Sequence, residues 1–334
     1  MMLDLKNSVW NVLIYSSAVI PLAIVLGEFT AVISNYIGEK KGGLLTAALG
    51  NIPELIMGIW SLRYGMTSMV KSALAGSIIS NMLLVLGMAV FLGGIKYKEQ
   101  NFNKIVARTN FSMLFMAMSS MIIISSLDKY SNLKQGAIFS LSIKTAVILI
   151  IVYALGLIFS LYSHRNLFVA CESYNESSKV HEKFNKSIIS LIIISAVLLY
   201  FISEKLISNV KVVSIYYGIS EEFLGIIMIP VLGNIGENIS AVMSALKNKI
   251  NLSLEIAIGS SIQISLFVTP LLMIVAYSAG YPMSFVFTGF QIATCAIAAG
   301  MSFIVFADGK TYWLEGAILI SIYVMITLAY YYAS

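Results

Sequence analysis

The chain has little charge, and this shortage excludes most soluble proteins. Only 11% of its 334 residues are charged, 59% are hydrophobic and the mean hydropathy is +0.89. A soluble domain carries roughly 25% charged residues. The sequence therefore predicts an all-α, polytopic membrane protein in contact with lipid. Its net charge of +5 is explained by basic residues in the loops beside a membrane, so no nucleic-acid partner is expected.

Cysteine, histidine and aspartate are also scarce. The two cysteines, Cys171 and Cys295, cannot build a disulfide framework. Both histidines, His164 and His181, lie in one polar segment, so the His-Glu-x-x-His motif of metalloproteases is absent. The three aspartates lie near chain ends or in links, which disfavours an intramembrane aspartyl hydrolase. Neither an enzyme nor a bound cofactor is expected, and a zinc or soft-metal site is disfavoured.

One short motif occurs twice within apolar stretches. The first copy reads LGNIPE and ends at Glu54, and the second reads LGNIGE and ends at Glu237, 183 residues later. The match continues without a gap, so that Gly76 pairs with Gly259. A carboxylate inside a membrane is costly to keep and usually marks an ion or proton path. The duplicated glutamate thus indicates a transporter.

Apolar stretches of about 20 residues predict ten transmembrane helices. They fall near residues 9–36, 44–62, 72–93, 105–127, 138–162, 187–208, 221–245, 254–279, 283–306 and 312–332. The polar link 163–186 separates a five-helix repeat at 1–162 from a second at 187–334. Because each half has an odd number of crossings, the second half must enter from the opposite side. The repeats are therefore expected to be inverted.

The distribution of lysine and arginine predicts the orientation. With the N-terminus outside, 13 basic residues fall in inward loops and 8 in outward loops. Cytoplasmic loops carry the excess of basic residues. We therefore expect both termini outside, the 163–186 linker in the cytoplasm, and the cell membrane as the location.

Each glutamate follows residues that break a helix. Pro53 has no N–H to donate, and Gly50 loosens the turn before it. In the second copy Pro230 and Gly233 act in the same way. Such breaks leave free carbonyls and a helix N-terminus at membrane depth, where ions bind. The motif therefore predicts an ion site built on two broken helices.

The helix after each motif adds neutral oxygens. Ser77 and Asn81 share one helix face, as do Ser260 and Gln263 in the second half. Small serines also pack between membrane helices, so the serines alone carry less weight than the amides. An oxygen-only set with two carboxylates suits Ca²⁺, which takes about 6–8 oxygen ligands. The predicted cation ligands are Glu54, Glu237, Asn81, Gln263, Ser77, Ser260, Gly50 and Gly233.

Four segments resemble the cation/proton exchanger branch, CAX, of the cation/Ca²⁺ exchanger superfamily. They are GGLLTAALGNIPELI (42–56), the segment KSALAGSIISN…NFN (71–103), the segment PVLGNIGEN…TPLL (230–272) and DGKTYWLEG (308–316). The resemblance implies export of Ca²⁺ driven by inward proton movement. It also implies that Glu54 and Glu237 bind Ca²⁺ and H⁺ in turn.

Three features depart from that family. Its members usually have an eleventh helix at the start, which this chain lacks in its predicted count. The second motif commonly reads Glu-His, whereas Asn238 stands at the histidine position here. The link 163–186 mixes acidic and basic residues instead of forming an acidic segment.

The sequence predicts a secondary antiporter that exports Ca²⁺ from the cytoplasm in exchange for protons by alternating access. Two ionised glutamates without a cation repel each other at low dielectric, so an empty site should take up a proton. Exchange of Na⁺ for Ca²⁺, or transport of another divalent cation such as Mn²⁺, stays open as an alternative. A passive cation channel and an intramembrane hydrolase are less favoured, and a homo-oligomer is left open.

Overall fold

Thirteen α-helices and one pair of short strands make up most of the described chain. The computed structural model describes residues 2–37, 49–131, 133–164, 186–281 and 283–333. The helices are α1 (Met2–Ile37), α2 (Ile52–Arg63), α3 (Thr67–Ile79), α4 (Leu86–Tyr97), α5 (Lys104–Tyr130), α6 (Gln135–Ile158), α7 (Lys186–Tyr217), α8 (Glu221–Gly233), α9 (Ile235–Leu246), α10 (Ile250–Gln263), α11 (Thr269–Ser278), α12 (Gly289–Val305) and α13 (Trp313–Ala333). The strands are β1 (Gln100–Asn101) and β2 (Lys310–Thr311), which pair antiparallel.

Seven helical stretches in the described ranges are long and apolar enough to cross a membrane. They are Ser8–Thr30, Thr67–Tyr97, Lys104–Tyr130, Gln135–Ser163, Ile189–Tyr217, Ile250–Ser278 and Trp313–Ala333. The pair α8–α9 makes an eighth if it is taken as one span. The chain is therefore a mostly helical integral membrane protein. The count of ten stays a prediction, because α2 and α12 are short and residues 38–48 of the first repeat lie outside the described residues.

The helix breaks at the two motifs are confirmed where the structure describes them. The predicted stretch 221–245 is two helices, α8 and α9, bent by 65°. Pro230 lies inside α8, which ends at Gly233, and Asn234 separates the two helices. In the first motif α2 begins at Ile52, and Pro53 occupies its first turn, where a missing N–H costs little.

Two π-helical turns interrupt the central spans at matching places. Ser80–Val85 joins α3 to α4, and Ile264–Val268 joins α10 to α11. Directly after the second turn, the Thr269 hydroxyl donates to the carbonyl of Ile264 at 2.7 Å. Turns of this type are frequent at functional sites.

These two interrupted spans form the centre of the molecule. The Thr67–Tyr97 window is 72% buried and the Ile250–Ser278 window 67%, whereas the Gln135–Ser163 window is only 17% buried. The outer helices instead expose large apolar side chains, such as Ile151 and Leu155. The central spans are therefore shielded by protein, and the outer ones present the surface expected to face lipid.

One predicted helix is shorter than expected. The apolar stretch 283–306 is helical only from Gly289, because Thr288 and Gln291 form a capping box there. The residues before it have no regular structure, and the N–H of Phe285 donates to the Ser142 hydroxyl at 3.1 Å. A side chain thus replaces the helical partner of that backbone group.

The strands connect the ends of α4 and α12 to the turn between α9 and α10. Lys310 forms a salt bridge with Glu99 at 2.8 Å, and its hydrogen bond holds the pKa of Glu99 below the usual range. The Gln100 amide donates to the carbonyl of Ala245 at 2.9 Å, at the end of α9. This face of the molecule is therefore tied together by polar contacts.

Candidate cation site

Glu54 lies in the first turn of α2 and is almost fully enclosed. Its side chain is 3% exposed, and neither carboxylate oxygen has a hydrogen-bond partner among the described residues. A Cβ built on Gly233 would fall 2.7 Å from the Glu54 carboxyl carbon. The carboxylate therefore lies directly against the end of α8, and a side chain at position 233 would have to displace it.

Glu237 occupies the equivalent place in the first turn of α9, but its surroundings differ. It is half-buried and lines a cavity of about 590 Å³. The Ser260 hydroxyl approaches its carboxylate without forming a hydrogen bond of normal geometry. The charge of Glu237 acts on Glu54, so the two carboxylates are close enough to interact across the helix breaks.

Two asparagines stand directly before the helices that carry the glutamates. Asn51 precedes α2 and Asn234 precedes α9, and they are 2% and 1% exposed. The Asn51 amide donates to Gln263 at 2.6 Å, whereas its own oxygen has no partner among the described residues. Neither amide atom of Asn234 has a partner in the part of the chain that the structure describes. A buried amide without partners costs about 1–3 kcal/mol, so these groups are typical of a ligand site.

The sequence did not identify Asn51 and Asn234 as site residues. The available signal was the repeated spacing Asn-x-x-Glu, which places an amide at the start of the helix that carries each carboxylate.

The other predicted ligands divide between two cavities. Ser77 and Glu54 line a small cavity of about 10 Å³, which has room for about one water molecule. Ser260, Gln263 and Gly50 line the large cavity together with Glu237. The hydrogen bond between Asn51 and Gln263 links the residue before the Glu54 helix to the wall of the large cavity.

Two predicted ligands, Gly233 and Asn81, line neither of these cavities. Asn81 is 1% exposed, lies in the first π-helical turn, and its amide nitrogen has no partner among the described residues. No group of three or more His, Cys, Asp or Glu side chains that could hold a metal ion is found in the described ranges. Any cation here would therefore depend on two carboxylates supplemented by neutral oxygens.

The large cavity leads from Glu237 toward one face of the molecule. Along α10 it extends from Gln263 to Glu255, which is about 12 Å at 1.5 Å per residue. Its wall also includes Glu28 on α1 and Ser240 on α9, both exposed. Because α9 and α10 meet at the Lys247–Lys249 turn, the cavity runs toward the face that carries this turn.

Broken helices at the centre of a membrane protein, carboxylates at their N-termini and a cavity that reaches one of them define the class of membrane transport proteins. Comparison with known proteins agrees. The sequence matches the sodium/calcium exchanger protein family over residues 7–162 and 187–332. The chain belongs to this family, and it is a transport protein and not an enzyme.

Individual relatives cover nearly the whole chain. A Ca(2+)/H(+) antiporter of Aphanothece halophytica is 37% identical over 95% of this chain and 88% of its own length. The Ca(2+)/H(+) antiporter ChaA of Bacillus subtilis is 32% identical, over 95% of this chain and 91% of its own. The solved structure of native YfkE superposes with a TM-score of 0.82 at 30% identity, covering 96% of this chain and 91% of that one.

Proposed function

We propose that the protein is a secondary antiporter that exports Ca²⁺ from the cytoplasm in exchange for protons. The observation that carries this proposal is the pair Glu54 and Glu237 at opposed helix breaks, with three of their four carboxylate oxygens lacking a hydrogen-bond partner among the described residues. An ionised carboxylate without partners is strongly unfavourable in a dry interior. It must be neutralised by a proton or by a bound cation.

Competition between these two neutralising partners couples the fluxes. Ca²⁺ binds the ionised pair and takes further oxygens from Asn51, Asn234 and Ser260, since it tolerates irregular oxygen coordination. Protons replace it on the same carboxylates. The protein changes conformation easily only when the pair is neutralised. One ion therefore leaves when the other enters. The names of the relatives from Aphanothece halophytica and Bacillus subtilis support Ca²⁺ and H⁺ as this pair of ions.

The architecture that we propose has ten transmembrane helices in two inverted repeats, 1–162 and 187–334. The repeated motif and the matching π-helical turns support it. The 163–186 linker then lies in the cytoplasm, both termini lie outside, and the large cavity opens to the cytoplasm. The protein works by alternating access, with Glu237 reached first from the inside. Its location is the cell membrane.

Exchange of Na⁺ for Ca²⁺ is the second candidate. The family to which the chain belongs takes its name from sodium/calcium exchange. The two candidates differ in which gradient drives Ca²⁺ movement.

Flux in proteoliposomes separates the candidates. The purified protein is reconstituted, a pH gradient is imposed without Na⁺, and Ca²⁺ movement is recorded with an indicator dye. Proton exchange predicts that the pH gradient alone drives Ca²⁺ uphill. Sodium exchange predicts no uphill movement until a Na⁺ gradient is added, and a channel predicts only downhill flux.

A further inference from the structure

The C-terminal end of α9 is held by three side chains from another part of the chain. The Lys96 ammonium and the Tyr97 hydroxyl, at the end of α4, both donate to the carbonyl of Leu246, at 2.8 and 3.0 Å. The Gln100 amide, in β1, donates to the carbonyl of Ala245 at 2.9 Å. The last carbonyls of an α-helix lack the partner that the others have one turn further on, so these donors supply it. We call Lys96, Tyr97 and Gln100 the α9 clasp.

Gln100 is the buried member of the α9 clasp. It is 1% exposed, and its amide also donates to the side-chain oxygen of Asn248 at 3.0 Å, in the turn that follows α9. A Cβ built on Gly93, in α4, would overlap the amide oxygen of Gln100 and would fall 3.3 Å from the Cβ of Ala245. Glycine at position 93 therefore leaves the space through which the Gln100 side chain reaches α9.

The helix that is held in this way carries Glu237 at its other end. Leu246 follows Glu237 by nine residues, which is about 14 Å at 1.5 Å per residue. Because α9 begins at a 65° bend, α8 does not continue straight into it. The direction of α9 is therefore set by its contacts with other elements, which are the α9 clasp and the Ser253 hydroxyl of α10, a donor to the carbonyl of Ala241 at 2.6 Å.

The helix that carries Glu54 is also held at the end away from its carboxylate. Lys211 on α7 donates to the carbonyl of Tyr64, directly after α2. The Trp60 indole, near the end of α2, donates to the carbonyl of Tyr200 on α7 at 3.0 Å. A lysine ammonium at a helix C-terminus also interacts favourably with the helix dipole. Each glutamate helix thus has a lysine from another helix at its far end.

We infer that Gln100 is a positioning residue for Glu237 and acts on it through α9. A tilt of about 5° over the length from the clasp to Glu237 displaces that carboxylate by about 1 Å. Ca²⁺ takes its oxygen ligands at about 2.3–2.6 Å, so a displacement of this size removes a ligand from the ion. This inference rests on the proposed function, because it makes the Ca²⁺ affinity of the site depend on a side chain outside it.

Substitution of Gln100 tests the positioning role. Gln100→Met keeps the approximate size of the side chain and removes both donated hydrogen bonds. The Ca²⁺ affinity of the folded, purified protein should fall by about 2-fold to 30-fold in calorimetry, the range for changes that act on a site from a distance. Glu99→Gln is the matched control, because the adjacent Glu99 pairs with Lys310, and it should bind as the wild type does. A lower unfolding temperature with unchanged affinity would show a merely structural role and overturn the inference.

Gly93 supplies a second perturbation of the same contact. Gly93→Ala should weaken Ca²⁺ binding, because the added methyl group displaces the Gln100 side chain from α9. In a Gln100→Ala background the same substitution should have little further effect, since the side chain that it displaces is gone. The double-mutant cycle therefore predicts strong non-additivity. Additive losses of affinity would show that Gly93 acts independently of Gln100 and would contradict the inference.

A spin label on α9 reports the positioning without any ion. Ser240→Cys in a Cys171→Ser background takes the label, because Ser240 is exposed and follows Glu237 by three residues, whereas Cys295 is buried. Electron paramagnetic resonance spectra should show a more mobile label with Gln100→Met than with Glu99→Gln. Identical spectra would overturn the inference. If the wild type showed no proton-driven Ca²⁺ flux, the proposed function would fail, and these spectra would still decide whether Gln100 holds α9.

Discussion

At the scale of single residues, the proposed exchange depends on how Glu54 and Glu237 are neutralised. Glu54 is enclosed and lies against the backbone of Gly233, while Glu237 faces a cavity. The same residue type at repeated positions therefore has two environments in one state. In the proposed exchange, Glu237 is the carboxylate that incoming ions reach, and Glu54 is held away from them.

Replacing either carboxylate by an amide should abolish exchange. Glu54→Gln and Glu237→Gln keep the side-chain shape but can neither carry a proton nor neutralise Ca²⁺. We expect both purified variants to elute as the wild type does in size-exclusion chromatography and to show no proton-driven Ca²⁺ flux in proteoliposomes. Glu99→Gln is the control, because Glu99 lies on the surface and pairs with Lys310, and it should retain exchange. Wild-type flux in either site variant would refute the assignment.

Substitution at Gly233 should weaken Ca²⁺ binding by displacing Glu54. In Gly233→Ala the added methyl group would lie 2.7 Å from the Glu54 carboxyl carbon. Overpacking of this kind costs about 1–3 kcal/mol, and at about tenfold per 1.4 kcal/mol the affinity should fall by about 5-fold to 150-fold. Titration calorimetry measures this affinity, with Gly136→Ala as the control because a Cβ there meets no described atom within 4 Å. An unchanged affinity in Gly233→Ala would mean that Glu54 is not held against this backbone when Ca²⁺ binds.

The duplicated motif located both glutamates in the sequence, because a carboxylate in an apolar stretch is rare enough to stand out. The asparagines before them were missed as site residues, because an Asn that follows Gly is also ordinary at a helix start. Asn81 shares a helix face with Ser77, but the structure places only Ser77 beside Glu54. Sharing a face is not sufficient, because each turn of a helix meets a different neighbour.

At the scale of elements, Pro and Gly predicted the breaks before α2 and α9, since both residues act on the backbone locally. The start of α12 was predicted six residues too early, because the apolar residues after position 282 have the composition of a membrane helix. The start of α12 is set by its capping box, and two tertiary contacts hold the residues before it. The N–H groups of Phe285 and Phe287 donate to Ser142 and Ser125 at 3.1 and 2.9 Å.

Loss of one of these contacts should destabilise the protein. Ser142→Ala leaves the buried N–H of Phe285 without its acceptor, and such a group costs about 1–3 kcal/mol. We expect a lower unfolding temperature in a thermal melt of the purified protein. Ser112→Ala removes an exposed hydroxyl that bonds only within its own helix, and it should melt near the wild type. Equal melting of the two variants would show that Ser142 does not hold the segment before α12.

At the scale of the whole molecule, the composition was enough to predict a polytopic helical membrane protein. It was not enough to predict the helix lengths, because α2 and α12, with 12 and 17 residues, are shorter than the apolar stretches that contain them. The difference between the two sides of the site also has no sequence signal. The two motifs are near copies, yet Glu54 is 3% exposed whereas Glu237 is half-buried beside the large cavity.

The proposed orientation predicts which thiols are reachable from outside. In a Cys171→Ser background, a cysteine at Lys134 should react with an impermeant thiol reagent on intact cells. A cysteine at Lys247, on the face toward which the large cavity runs, should react only after the membrane is permeabilised. Labelling of position 247 from outside would reverse the orientation and make the cavity open outward.

The most direct test of proton coupling is the Ca²⁺ affinity of the purified wild-type protein measured calorimetrically across pH, with and without Na⁺. If protons and Ca²⁺ compete for Glu54 and Glu237, the apparent affinity should weaken as pH falls through the titration of the pair, by up to about tenfold per pH unit for each proton displaced. Na⁺ should leave this dependence unchanged, and the Glu54→Gln, Glu237→Gln double variant should not bind. An affinity that is constant across pH and weakens only when Na⁺ is added would contradict proton exchange.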